Sequence, residues 1–168
     1  MKGSRKAAIT IGGAAVILIG SATTASAHAA PITGVFGAVT ITSHAHGVYT
    51  VHVTQQALVS VLAPPSTSPS VAQEFVKDGG TFTCPSQYAC AALPGSSGAH
   101  VFKFYKYGSY SLSYWLGKGS FANNQVDGAA ARYDNVEGSQ VGCVPAGILR
   151  NGIDWYPIWR IRLTAARC

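Results

Sequence analysis

The chain opens on one unbroken apolar stretch and afterwards alternates. Ala7 to Gly20 carries no charge and is mostly apolar. Lys2, Arg5 and Lys6 precede it, and the small residues Ser21, Ala22, Ala25, Ser26 and Ala27 follow. That is the layout of a secretory signal peptide. The run of 14 residues is shorter than the roughly 20 needed to span a bilayer. Ala25-Ser26-Ala27 and Ala27-His28-Ala29 both fit the A-x-A cleavage pattern, so residues 1–29 are expected to leave by cleavage after Ala27 or Ala29. No later stretch is long and apolar enough to span, so no membrane insertion is expected once the signal is removed.

Residues 30–80 read as an N-terminal extension and linker. Val39-Thr40-Ile41-Thr42 alternates apolar and polar, and Tyr49, Val51 and Val53 share one face of a second run. His44-Ala45-His46-Gly47 lies between them, which predicts a β-hairpin. Leu58 to Leu62 extends the apolar character, and Pro64 to Ser70 breaks regular structure and reads as a linker. Val71 to Lys77 reads as a short helix. Ser70 and Gln73 form a capping-box pattern, Ala72, Phe75 and Val76 would share a face, and Gly79-Gly80 supplies the stop.

Residues 81–168 hold all three Trp and every Tyr except Tyr49, so the main core is expected there. Phe102-Lys103-Phe104, Ala129 to Tyr133, Gln140-Val141 and Arg160-Ile161-Arg162-Leu163 read as short strands, as does Ser120 to Asn124. Turn signals at Asp127-Gly128 and Glu137-Gly138 separate them. Short strands between Gly, Asn and Asp turns predict an antiparallel sandwich or barrel.

Charge changes the picture little. The formal charge of +6 falls to +3 when Lys2, Arg5 and Lys6 leave, with nine basic residues against six acidic ones. The remainder is spread thinly, unlike the clustered basic face of a nucleic-acid binder. Cys84, Cys90, Cys143 and Cys168 all lie in the mature chain. An even count in an exported chain reads as two disulfides, and spacing alone leaves three connectivities open. About 140 mature residues suit one domain.

Four segments follow one another in a set order: Cys84-Pro85-Ser86-Gln87-Tyr88-Ala89-Cys90, Lys106 to Leu112, Ser120 to Gln125, and Ala131-Arg132-Tyr133-Asp134. Residues 84–168 thereby resemble a family of small secreted bacterial metalloproteinase inhibitors with a βγ-crystallin-like fold. The crystallin signature is incomplete. Phe102 and Tyr107 have its aromatic spacing, but Ser109 stands where Gly is expected, and from Tyr133 the later places are Gly138 and Gln140. The resemblance implies a Cys84–Cys90 bridge closing a short loop, leaving Cys143–Cys168 to tie the C-terminal end back to an earlier strand.

Candidate chemistry is sparse. The mature carboxylates lie mostly beside turn residues, where local hydrogen bonding explains them. Gly95-Ser96-Ser97-Gly98-Ala99 echoes a nucleophile elbow, but Pro94 precedes it and a strand follows, which favours a flexible loop. His44, His46 and His52 flank the predicted hairpin loop without a neighbouring Cys or carboxylate to complete a metal site. Calcium is a known ligand of crystallin-like domains. Asn123 to Gly128 and Asp134 to Ser139 approach its motif, but each lacks the fifth-place hydroxyl and fits an ordinary turn. Tyr105, Tyr107, Tyr110, Tyr114 and Trp115 are close in sequence and divide between core and surface.

The expectation is therefore an all-β, βγ-crystallin-like Greek-key sandwich at 81–168, with an N-terminal extension containing a β-hairpin and a short helix. The protein is expected to be secreted, extracellular, monomeric, non-enzymatic and without a cofactor. Its leading role is a metalloproteinase inhibitor acting on an extracellular protease or other surface protein. A secreted crystallin-like toxin or envelope-binding protein is the alternative, and a structural exoprotein a third class. Cys143 to Arg150 is the candidate inhibitory loop: Pro145 restricts its backbone, and Ile148 and Leu149 would enter a protease pocket or, equally, the core.

Overall fold

Alternation of small or apolar residues with polar ones builds thirteen strands, seen in a computed structural model that describes residues 36–55 and 63–168. They are β1 (Ala38–Ser43), β2 (Val48–Gln55), β3 (Ser66–Ser68), β4 (Ala72–Lys77), β5 (Thr81–Thr83), β6 (Ala89–Pro94) and β7 (Gly98–Phe104). β8 (Gly108–Ser113), β9 (Lys118–Asn123), β10 (Ala130–Asp134), β11 (Gln140–Pro145), β12 (Ile148–Asp154) and β13 (Arg160–Thr164) complete the chain. The expected signal peptide and the Leu58–Leu62 run lie outside the described residues.

The strands form two sheets. The first has the order β4-β7-β6-β9-β1-β2-β5, with β12 also paired to β9, which β1 meets only at Lys118; the second has the order β11-β10-β13-β8-β3. Their connectivity repeats. β6 and β7 form a hairpin, β8 crosses to the second sheet, and β9 returns to pair with β6. β10 and β11 form a hairpin, β12 crosses to the first sheet, and β13 returns to pair with β10. Each unit thus lends its third strand to the other's sheet.

The facing sides of the two sheets enclose the larger core. β6 contributes Ala89, Ala91 and Leu93, β7 contributes Phe102 and Phe104, and β9 contributes Phe121. Tyr110, Leu112, Ala131, Tyr133, Val144, Ile161 and Leu163 oppose them from the second sheet, with Trp115 and Trp155 between. Trp155 meets Trp115 edge-on at 5.0 Å and Tyr133 at 5.6 Å.

β6, β7 and β9 are buried on their other side too. Cys90, Ala92, Ala99, Val101 and Ala122 face a second core with Val39, Ile41, Val51, Val76 and Phe82. The end strands of the first sheet, β4 and β5, are consecutive in the chain, joined at Asp78-Gly79-Gly80. That turn is fastened to β2: Gly79 N donates to Val51 O, and Val51 N to Gly80 O, each at 2.9 Å. The sheet therefore curls nearly into a barrel around small residues.

The predicted hairpin is present, as β1 and β2 with a short 3₁₀ turn at Ala45–Gly47. The helix expected over Val71–Lys77 is not: Ala72 to Lys77 pairs antiparallel with Lys103 to Gly98 along its whole length. Ladder hydrogen bonds to β7 hold one edge of this segment extended, and only Val76 is buried, so a helical apolar face would have had little to cover. Within the expected Pro64–Ser70 linker, Ser66–Ser68 is an edge strand on β8. β1, β2, β4 and β5 share their sheet with β6, β7 and β9, and Thr33–Cys168 forms one compact unit.

Candidate recognition surfaces

The two disulfides join Cys84 to Cys90 and Cys143 to Cys168, with Cα–Cα separations of 5.9 Å and 5.8 Å. This is the pairing the resemblance implies. Two disulfides fit an oxidising environment. No helix among the described residues is long and apolar enough to cross a membrane.

Five of the six carboxylates have structural partners. Glu74 pairs with Lys103 at 2.7 Å, and Asp78 accepts from Val53 N at 2.8 Å. Asp134 is gripped by Arg162 through both oxygens at 2.6 and 2.7 Å. This bond raises the Arg162 guanidinium pKa above its usual range. Glu137 accepts from Asn135, and Asp154 from Tyr156 N. The calcium-like stretches use their oxygens in the same way: Asn123 Oδ1 accepts from Gln125 N, and Asn135 Oδ1 from Ser139 N. His44 Nε2 is bonded to Thr50 Oγ1 at 2.8 Å.

Gly95 to Gly98 is a turn between two strands, closed by Gly95 N donating to Gly98 O at 2.8 Å, and lacks the helix a nucleophile elbow requires. His100 packs edge-on against Phe75 at 5.0 Å. Burial lowers its pKa below the ordinary value.

The candidate loop is a tight turn between β11 and β12, and the structure separates its residues. Pro145 and Ile148 are exposed, Ile148 by 39%. Leu149 is half-buried and packs against the barrel core. The turn is braced from both sides. Ala146 N donates to Ala129 O at 2.9 Å, Gly147 N to Asn123 O at 2.7 Å, and the Asn123 amide to Val144 O at 2.8 Å.

A second surface gathers three loops. Tyr110 and Trp115 are core residues, but Tyr105, Tyr107 and Tyr114 are each about half exposed. Tyr105 and Tyr107 sit in the β7–β8 turn, which the Tyr110 hydroxyl pins by donating to Lys106 O at 2.6 Å. Beside them runs the loop bracketed by Cys84–Cys90, where Tyr88 lies 5.0 Å from the Tyr105 ring. Gln87 N donates to Asn124 O and Asn124 N to Tyr88 O, each at 2.9 Å, which zips this loop to the one after β9. There Asp127 and Gly128 both adopt positive φ, 58° and 74°, so the chain turns back within two residues.

Gln87, Tyr105, Lys106, Tyr107, Gln125, Val126 and Asp127 line the resulting cleft, of about 440 Å³. Gln125 is its most buried member at 6% exposure, and its Oε1 has no hydrogen-bond partner among the described residues. The Tyr cluster was visible in the sequence. Gln125 was not, because nothing local marks an amide that long-range packing will bury. No family model, curated protein or solved structure matches the chain.

Proposed function

We propose that this chain is a secreted, non-enzymatic binding protein with a βγ-crystallin-like double Greek key, acting as a proteinase-inhibitor-like protein. The exchange of third strands between the two four-strand units supports the crystallin-like reading. The braced β11–β12 turn carries the inhibitory reading. Its backbone is held by hydrogen bonds to Ala129 and Asn123, and Cys143 anchors its approach, while Pro145 and Ile148 face solvent. A turn ordered before binding loses little entropy on contact. Ile148 is then the side chain offered to a protease pocket, and Leu149 supports it from the barrel core.

The test is inhibition of a panel of secreted metalloproteinases by the purified chain. Ile148→Ala is expected to weaken inhibition with the melting temperature nearly unchanged. Leu149→Ala is expected to cost about 1–2 kcal/mol of stability, less than a fully buried leucine. Failure of the intact protein to inhibit any metalloproteinase removes this reading. The aromatic cleft favours a second one, attachment to a cell envelope.

A further inference from the structure

We propose that the cleft between the β7–β8 turn and the loop after β9 is a binding site for a neutral oligosaccharide. A sugar ring would stack on Tyr105 or Tyr107 and donate a hydroxyl hydrogen bond to Gln125 Oε1. The proposal deepens the envelope-binding reading and uses no residue of the β11–β12 turn, so either site can fail alone.

The floor of the cleft sets the first requirement. Gln125 is 6% exposed and its Oε1 lacks a donor among the described residues. A buried acceptor without a donor carries an unrecovered desolvation cost. Oε1 is closed to solvent in this conformation, so a ligand hydroxyl in the cleft relieves that cost as the Gln125 side chain turns toward it. An apolar ligand does not.

The walls set the second. Tyr105 and Tyr107 are 52% and 56% exposed, on a turn held by the Tyr110 hydroxyl. An aromatic ring has a large apolar face, and the phenol adds a polar tip. Sugar rings match that combination, because one face of a pyranose presents C–H groups while its rim presents hydroxyls. Lys106 and Asp127 add one donor group and one acceptor group of opposite charge. Their charges offset, so the site does not select an anion such as phosphate.

Geometry argues against a peptide strand. Of the strands leading into the cleft, β7 has partners on both edges, β4 and β6, and β8 has β13 against Gly108–Ser111 and β3 against Ser111–Ser113. An extended peptide therefore finds only the three-residue Gly108–Tyr110 edge to join. The volume of about 440 Å³ falls in the range of small-molecule sites, roughly 300–1,000 Å³. The loops are already fastened by the Cys84–Cys90 bridge and the Gln87–Asn124–Tyr88 hydrogen bonds, so little ordering remains for binding.

Amide-resolved NMR titration of the purified chain with chitotetraose and cellotetraose, and separately with a proline-rich peptide, tests this. The expected result is saccharide-induced shifts centred on Tyr105–Tyr107, Gln125–Asp127 and Gln87. Tyr105→Ala and Tyr107→Ala should each weaken binding several-fold to about tenfold. Gln125→Met removes the unpaired oxygen at similar volume. It should weaken saccharide binding while leaving the melting temperature unchanged or higher, a split that a purely structural glutamine would not give. The proposal is overturned if neither saccharide shifts these residues at millimolar concentration. It also falls if the peptide shifts them and the saccharides do not, or if Gln125→Met binds as tightly as the parent.

Discussion

Asn151 pairs its side-chain amide with the main chain of Ile41, 110 residues away in sequence. Ile41 N donates to Asn151 Oδ1 at 3.0 Å, and Asn151 Nδ2 donates to Ile41 O at 3.1 Å. β1 and β9 pair only at Ala38 and Lys118, so beyond that point one side chain from β12 replaces a strand ladder. Asn151→Ala should cost about 1–3 kcal/mol, since three hydrogen bonds go, the one Ser120 Oγ donates to Asn151 Oδ1 among them, and the main chain of Ile41 loses both partners on that side. Urea unfolding reads the loss. Faster hydrogen exchange at the Ile41 amide, with core amides of β10 and β13 unchanged in rank, would locate it at the β1–β12 contact.

The Asp134–Arg162 pair should be the costliest polar contact to break. Asp134 has 1% side-chain exposure, while Arg162 keeps 33%. Removing the guanidinium leaves a buried carboxylate without its counter-charge. Breaking a fully buried pair costs about 3–5 kcal/mol, and the exposure of Arg162 moves the expectation for Arg162→Leu to about 2–3 kcal/mol. The double change Arg162→Leu with Asp134→Asn should recover part of that loss in a denaturant titration. If Arg162→Leu alone is silent, the bridge contributes nothing.

How much of this was legible in the sequence depends on where each residue ended up. Val39, Ile41 and Val51 alternate with threonines and a histidine, and that period-two signal placed the first hairpin correctly because one face is core and the other is water. Ala72 to Lys77 gave no such signal. As an end strand it buries only Val76 and leaves Phe75 exposed by 46%, so its pattern matched a helix equally well. Ser66–Ser68 is a three-residue polar strand, which composition cannot distinguish from a linker. The near-barrel was hidden because its core is built partly from Cys and Ala. Those residues look unremarkable until Val39, Phe82 and Val101 surround them. Leu149 was undecided between pocket and core on sequence, and the register of β12 against β9 placed it on the barrel side.

The two disulfides should differ in both accessibility and contribution. Cys84 and Cys90 are fully buried in the barrel core, whereas Cys168 is exposed at the C-terminal end. A mild reductant should therefore open Cys143–Cys168 first, and mass mapping of alkylated peptides would show it. That bridge spans 25 residues against 6 for the other. On chain entropy, its loss should cost about 3–4 kcal/mol, against about 2 kcal/mol for the shorter loop. Removing Cys84–Cys90 would add a packing penalty, because its sulfurs fill core space. Prior reduction of Cys84–Cys90 would contradict the burial argument.

Calcium should leave the melting temperature of the chelator-treated protein unchanged at micromolar concentration. Asp134 gives both oxygens to Arg162, and the side-chain oxygens of Asn123 and Asn135 already accept backbone N–H groups. A calcium cage needs several oxygens free to converge on one point. Micromolar binding by calorimetry, accompanied by a rise in melting temperature, would mean these turns reorganise.

The pH dependence of stability near neutrality should carry the mark of His100. It sits on β7 between Phe75 of β4 and Leu93 of β6, and it lines a cleft with Ser96, Tyr114, Pro64 and Pro65. Burial lowers its pKa below the ordinary 6.5, so the folded chain holds this proton less tightly than the unfolded chain does. Between the two pKa values the unfolded state binds more protons, and stability rises with pH there. The contribution is therefore complete above about pH 6.5 and is lost as pH falls toward the folded pKa. Comparing melting temperatures of the parent and His100→Gln from about pH 8 to pH 5 isolates it, because carboxylate effects at the acid end are common to both. The parent should lose stability relative to the variant as the pH drops below 6.5. A relative gain over the same interval would mean that His100 finds a partner for its charged form in the folded chain, and the burial argument would fail.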